Sequence, residues 1–243
     1  MPNAKNDIGS AKKIIKNAIN ESVSNLTIFK SLEIIKNYGL PVSDYGFSPN
    51  KEDVISVAKR LGFPIAMKLV SEKGIHKSDV GGIVLNISNE EDALKSFSKI
   101  KKDAKRSNVD FQGVVLQKMF GIGKETQEII IGSKKDPQFG QTIAFGLGGI
   151  FVEIFEDISF RVVPINKKDA LEMMKETKGY KILNGYRGKK YYTKGLEKLL
   201  MKTSKLLEEN PEISELDFNP VMVSEKTLSI VDARIILEIP DEK

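Results

Sequence analysis

The sequence predicts an α+β protein with largely antiparallel sheets. Two observations carry that expectation. Strand-like segments come in groups, with helical segments between the groups, instead of in regular strand–helix–strand alternation. Helical segments are opened by asparagines at 50 and 89 and closed by glycines at 39 and 62, so those ends can be placed from the sequence. The chain has 243 residues, enough for two modest domains or one large one, and 40% of them are hydrophobic, which suffices for a packed core.

Each element follows from local pattern. Ile14, Ile15, Ala18, Ile19 and Val23 form one stripe on a helix over residues 10–24. Asn25 or Thr27 caps a second helix at 28–37, Gly39 ends it, and Pro41 prevents its continuation. A short strand is expected at 42–47. Asn50 precedes a helix at 52–61 that Gly62 closes. Strands at 63–70 and 82–87 flank a loop, and Asn89 caps a helix at 90–105. Strands are then expected at 113–120, 126–132 and 141–145. The run 146–164 is glycine-rich and then β-like; helices at 167–175 and 194–209 follow. The chain closes with a hairpin, 215–223 and 228–235. A boundary at 111–113 divides the chain into residues 1–25, a helical extension, and two lobes, 26–112 and 113–243.

Composition excludes several chemistries. Cysteine is absent and His76 is the one histidine, so disulfides, thiolate catalysis and His- or Cys-rich metal sites are ruled out. Any metal must be a hard cation on oxygen ligands, such as Mg²⁺. No run of about 18 apolar residues exists, and the N-terminus lacks an apolar signal core; the expectation is a soluble cytoplasmic protein without membrane attachment. The net charge of +5 comes from lysines spread among glutamates, with five arginines, Arg60, Arg106, Arg161, Arg187 and Arg234. Aromatics are 7% with no tryptophan, so a nucleic-acid partner is not expected.

The loop around His76 carries Gly74, Gly81, Gly82, two lysines and Asp79 between the two strands. Glycine permits the positive φ and close backbone approach of a phosphate-cradling turn, and a lysine such as Lys68 supplies a point charge for phosphate oxygens. An imidazole there is a base, a nucleophile or a bystander. In the last hairpin, Asp217 and Asn219 are two apart on one strand and share a face, while Asp232 sits on the neighbouring strand. Carboxylate and amide oxygens so placed make a Mg²⁺ site when a nucleotide supplies the remaining ligands. Glu153, Glu156, Asp157 and Arg161 interrupt an apolar stretch, and the arginine fork suits a phosphate or a carboxylate. Arg187, between glycines in NGYRG, suits a loop over an anion.

Taken together and in order, SLEIIKNYGLP, PIAMKLVSEKGIHKSDVGGIVL, ETQEIIIGSKKDPQFG, FGLGGIFVEIFEDISFRVVPI, LNGYRG, ELDFNP and VDARI resemble an ATP-grasp protein. More narrowly, the chain resembles the β subunit of ADP-forming acyl-CoA (acetyl-CoA) synthetases, relatives of succinyl-CoA synthetase. The resemblance implies an ATP-grasp fold with ATP or ADP between the N-terminal lobe, 26–112, and the C-terminal lobe, 113–243. It implies that Lys68 holds phosphates, that Gln117, Lys118 and Met119 form the adenine-contacting strand, and that Glu125 or Glu128 lies near the ribose. Glycines including Gly81 and Gly82 would close over the phosphates, and Arg161 would neutralise charge. Asn219 and Asp232 match the magnesium ligands. Asp217 matches the acidic residue that orients a phosphohistidine, and His76 a histidine that carries the phosphoryl group. A CoA-binding α subunit with the first phosphohistidine is the implied partner, in a hetero-oligomer such as α2β2. Residues 14–23, outside the matched region, are a candidate docking helix for it. Two rivals stay open: another ATP-grasp carboxylate ligase, and a non-catalytic subunit that binds ADP or ATP.

Overall fold

The computed structural model describes residues 7–72, 80–121, 125–149, 152 and 154–240. Its contacts divide the chain into two units. The smaller holds residues 27–29 and 43–122, and the larger holds 1–26, 30–42 and 123–243.

The smaller unit is built on β1 (Tyr45–Ser48), β2 (Ile65–Val70), β3 (Ile83–Ile87) and β4 (Gly113–Lys118). They form an antiparallel sheet in the order β1-β4-β2-β3. Strand β4 is therefore central to this sheet, and the chain passes to the other unit after it, not at 111–113. The reason is pairing: both edges of GVVLQK are taken, by β1 and by β2. Helices α3 (Lys51–Leu61) and α4 (Glu90–Arg106) supply the core. Ile65, Met67, Leu69, Val114 and Leu116 alternate onto the face that meets Val54, Ala58, Phe97 and Ile100. Both helices start on an asparagine cap: Asn50 Oδ1 accepts from Asp53 N at 3.0 Å, and Asn89 Oδ1 from Asp92 N at 2.8 Å. Gly62, at φ 72°, ends α3.

The larger unit is built on β5 (Gln127–Asp136), β6 (Gly140–Leu147), β7 (Ile158–Val162), β8 (Ile213–Val223), β9 (Leu228–Ile230) and β10 (Arg234–Leu237). Its antiparallel order is β10-β8-β5-β6-β7, with β9 also on β8. Helices α5 (Lys167–Glu176) and α7 (Thr193–Glu208), with the short α6 (Tyr180–Leu183), belong to this unit. Ile131, Ile143, Phe145, Leu216, Phe218 and Ile235 share one face and are buried; Ser159 Oγ on that face donates to Met173 O of α5. The opposite face is open, as an antiparallel sheet permits, and Phe160 and Val162 lie exposed on it.

Helix α1 (Ile8–Asn20) also belongs to the larger unit. Of its apolar stripe, Ile15 and Ala18 are buried, together with Ala11, while Ile14, Ile19 and Val23 are half-buried. The segment after α1 runs beside β10, with Leu26 N on Ile235 O and Leu237 N on Ser24 O. Helix α2 (Ile28–Asn37) buries Leu32, Ile34 and Ile35. Among the described residues no helix is long and apolar enough to cross a membrane.

Candidate functional site

In the smaller unit, the face of β2 away from α3 and α4 carries Ala66, Lys68 and Val70. Lys68 is only 5% exposed. Its Nζ donates to Gln117 Oε1 at 3.3 Å, and Gln117 is 2% exposed. The register explains the meeting: Ala66 pairs with Gln117, so Lys68, two residues on, is its diagonal neighbour on the same face. Two of the expected nucleotide groups are thus brought together.

Lys118 points elsewhere. Its Nζ donates to Leu61 O and Gly62 O, both at 3.1 Å, at the C-terminal end of α3, where a cation meets the helix dipole. The Lys118 amide donates to Asp44 O and that of Met119 to Pro64 O. Any contribution of these two amides to a base would therefore come from their carbonyls.

His76 lies outside the described residues, as do Gly74 and Asp79, but both roots of its loop are visible. Asp110 accepts from Ser71 Oγ and, at 3.0 Å, from Glu72 N. On the other side Leu69 N donates to Gly82 O at 2.7 Å. Gly81 has φ 66°, and a Cβ there would stand 2.8 Å from Asp103 Oδ2. The observed need for glycine at 81 is thus a left-handed turn against α4. Asp110 was missed in the sequence, where nothing marks an aspartate in a connecting segment as an anchor for a strand end 39 positions away.

In the larger unit, Asp217 lies on the open face, level with Gly132 and Ala144 on one side and Arg234 on the other. Phe160 completes the row, over a shallow groove of ≈ 340 Å³. Strands β9 and β10 are two ends of one arm on β8. Val221 pairs with Ile230 and Asp217 with Arg234, leaving three residues between these pairs on each strand. Val231 N donates to Pro220 O at 3.2 Å in the same register. Asn219 and Asp232 are the middle residues of the two triplets, so they stand at opposed register positions. Among the described residues no group of three or more carboxylate, histidine or cysteine side chains gathers around a metal position.

Arg161 differs from expectation. It lies on the covered face, and its Nη1 and Nη2 grip Oε2 and Oε1 of Glu176, the former at 2.8 Å. The fork is filled by a carboxylate on α5, so its charge serves the helix contact and not a phosphate. Glu176 is correspondingly held below the usual carboxylate range by its hydrogen bonds from Arg161. Asp157 is also structural: its carboxylate accepts from Lys178 N at 2.8 Å and Gly179 N at 2.7 Å. Glu153 is outside the described residues. Arg187 has φ 53° and lies over the Tyr186 ring, 5.3 Å from its centroid.

Glu125 pairs with Lys189 at the mouth of a cleft of ≈ 640 Å³, lined also by Lys190, Ser224 and Lys226. Lys189 and Lys190 went unnoticed in a lysine-rich chain; their signal is the doublet that follows NGYRG. Glu128 is exposed at the start of β5, where Gly148 N donates to its carbonyl at 2.8 Å.

Comparison with known proteins places this geometry in context. Residues 17–237 match the ATP-grasp domain. The chain is 42% identical over 233 residues to the β subunit of an ADP-forming acetate–CoA ligase of Pyrococcus furiosus, covering 95% of this chain and 99% of that one. It is 40% identical to an ADP-forming acetate–CoA ligase of Archaeoglobus fulgidus; there the match spans 93% of this chain but 33% of the longer relative. A structure of the Korarchaeum cryptofilum acetyl-coenzyme A synthetase with coenzyme A and Ca-AMPCP superposes with a TM-score of 0.89, at 37% identity, covering 93% of this chain and 99% of that one. Another state of that enzyme is described with Mg-AMPPCP and a phosphohistidine segment pointing towards the nucleotide binding site, and superposes at 0.80.

Proposed function

This chain belongs to the ATP-grasp family, among the β subunits of ADP-forming acetate–CoA ligases, and from that premise we propose that it is the nucleotide-handling half of a two-subunit acyl-CoA ligase. The overall reaction is acyl-CoA + ADP + phosphate ⇌ carboxylic acid + CoA + ATP. The proposed location is cytoplasmic, and the proposed assembly is a hetero-oligomer such as α2β2 with a CoA-binding α subunit.

The observation that carries the reading is the buried Lys68. The residue is 5% exposed, and its ammonium sits beside the Gln117 carboxamide on the face of β2 away from the helices, the position the resemblance assigns to the phosphate-holding lysine. Positioning with charge neutralisation is most of what phosphoryl transfer asks of a protein. Gly81 and Gly82 lie where the backbone leaves β3 toward the same loop.

In the proposed sequence of steps, phosphate attacks the thioester carbonyl on the partner and expels CoA, leaving an acyl phosphate. A partner histidine takes the phosphoryl group and releases the carboxylate. A ring nitrogen of His76 then attacks phosphorus, and the partner imidazole leaves. Finally a β-phosphate oxygen of ADP attacks phosphorus on His76, giving ATP and restoring the neutral imidazole. His76 is the only histidine of the chain, so any phosphohistidine formed here must be at that position. The resemblance assigns to Asp217 the role of the acidic residue that orients a phosphohistidine.

Mg²⁺ fits the oxygen donors at Asn219 and Asp232, which stand opposed in register. Two protein ligands suit an ion that keeps waters and takes its other ligands from phosphates. When bound, it would neutralise charge on the transferring group.

The test is incubation of the chain with Mg²⁺ and γ-labelled ATP. The expected product is an acid-labile, alkali-stable label that passes to ADP. His76→Ala should abolish both the label and turnover with the partner, while ADP still binds. Full ATP synthesis by His76→Ala with the partner present would refute the relay. Nucleotide binding without labelling or exchange would favour a regulatory subunit.

A further inference from the structure

The Lys68–Gln117 pair holds more information than a buried charge. An ammonium only donates hydrogen bonds, so the carboxamide atom facing Lys68 Nζ at 3.3 Å must be the oxygen. That fixes the other end of the amide: Nε2 is a donor and cannot be exchanged with Oε1 without turning two donors against each other. Gln117 is 2% exposed, and its Nε2 has no hydrogen-bond partner among the described residues. Buried donors are rarely left so, because an unmet N–H forfeits its bond to water without replacement. The carboxamide N–H₂, beside the Lys68 ammonium, calls for a ligand group that accepts only. A phosphate oxygen meets that condition. A base edge, which mixes donors with acceptors, meets it in part.

We propose that Gln117 is a positioning residue that makes the Lys68 site selective for phosphate: Oε1 holds the ammonium, and Nε2 donates to an oxygen of the nucleotide's phosphate chain beside it. The inference rests on the nucleotide reading above and adds a role for the side chain, where the resemblance implied only that its strand passes the adenine.

The experiment is calorimetric titration of the full chain with Mg-ADP and with adenosine. Gln117→Met keeps the volume and removes both polar atoms. It should weaken ADP binding by about 10- to 100-fold, the range for a lost hydrogen bond to a charged group, and leave adenosine within about twofold. Gln117→Glu keeps the acceptor toward Lys68 but replaces the donor with a negative charge. Its loss should be at least as large and again confined to ADP; this variant carries the test alone if Gln117→Met melts early. Equal losses for adenosine and ADP would mean that Nε2 serves the base, and unchanged ADP affinity that it serves no ligand; either overturns the proposal. A wild-type chain that binds no ADP would remove the nucleotide reading itself, and this inference with it.

Discussion

Replacing Asp157 with alanine tests whether the acidic run after the double glycine is scaffold. The carboxylate is 7% exposed and accepts from Lys178 N at 2.8 Å and Gly179 N at 2.7 Å. Gly179 sits so close to Leu147 that a Cβ would approach its side chain to 2.7 Å. The turn before α6 therefore has no room to shift toward another acceptor. Each hydrogen bond to a charged group contributes about 1.5–3 kcal/mol, and alanine also strands the two amides. Allowing for the carboxylate's own desolvation in the native state, the expected loss is about 3–5 kcal/mol. At roughly 2–4 °C per kcal/mol for a chain of this size, the melting temperature should fall by about 6–20 °C. Asp157→Asn keeps one acceptor and should lose about half as much. The exposed neighbour Glu156, replaced by alanine, should change stability by no more than about 0.5 kcal/mol. Urea denaturation followed by circular dichroism gives the free energies, and amide exchange at Gly179 reports the turn directly. An Asp157→Ala protein within about 1 kcal/mol of wild type, with Gly179 still protected, would refute the reasoning.

Lys118→Met removes two bonds to the end of α3 and should lower stability by about 1–3 kcal/mol while leaving ADP affinity unchanged in titration. A tenfold or greater loss of affinity would return the Lys118 ammonium to the nucleotide. Glu176 has its folded pKa depressed, chiefly by the hydrogen bonds from Arg161, so its contribution is present above the ordinary value, about 4.3, and is lost as pH falls through the lower folded value. The stability gap between wild type and Glu176→Gln should be flat from neutral pH to about 5 and shrink below about 4.3; a gap that widens in acid contradicts this. Asn219→Ala and Asp232→Asn should leave the melting curve intact and make ADP binding insensitive to Mg²⁺. Wild-type Mg²⁺ dependence in either variant would move the metal elsewhere.

Helix ends at Asn50, Asn89 and Gly62 were legible because a cap is a local contract between a side chain and an amide three residues away, or a φ that glycine alone takes cheaply. The antiparallel pairing of the last strands was legible for a related reason: a hairpin follows from its turn and its alternation. The resemblance to ATP-grasp ligases needed only the order of seven motifs, and the family match bears it out. The sequence could not say which charges were spent. Arg161 and Arg187 look alike in a string of letters, yet one grips Glu176 on α5 and the other lies on its neighbouring ring. Lys68 and Lys118 flank the same kind of apolar run. Only the pairing of β2 with β4 puts one beside Gln117, and only the placement of α3 puts the other over two carbonyls. The membership of β4 in the smaller sheet was decided the same way, by partners more than 40 residues distant in sequence. Capping and alternation act over a few residues and are written in the chain; the partner of a long, flexible charge is chosen by tertiary contacts, because several acceptors are chemically equivalent until the fold brings one of them within reach.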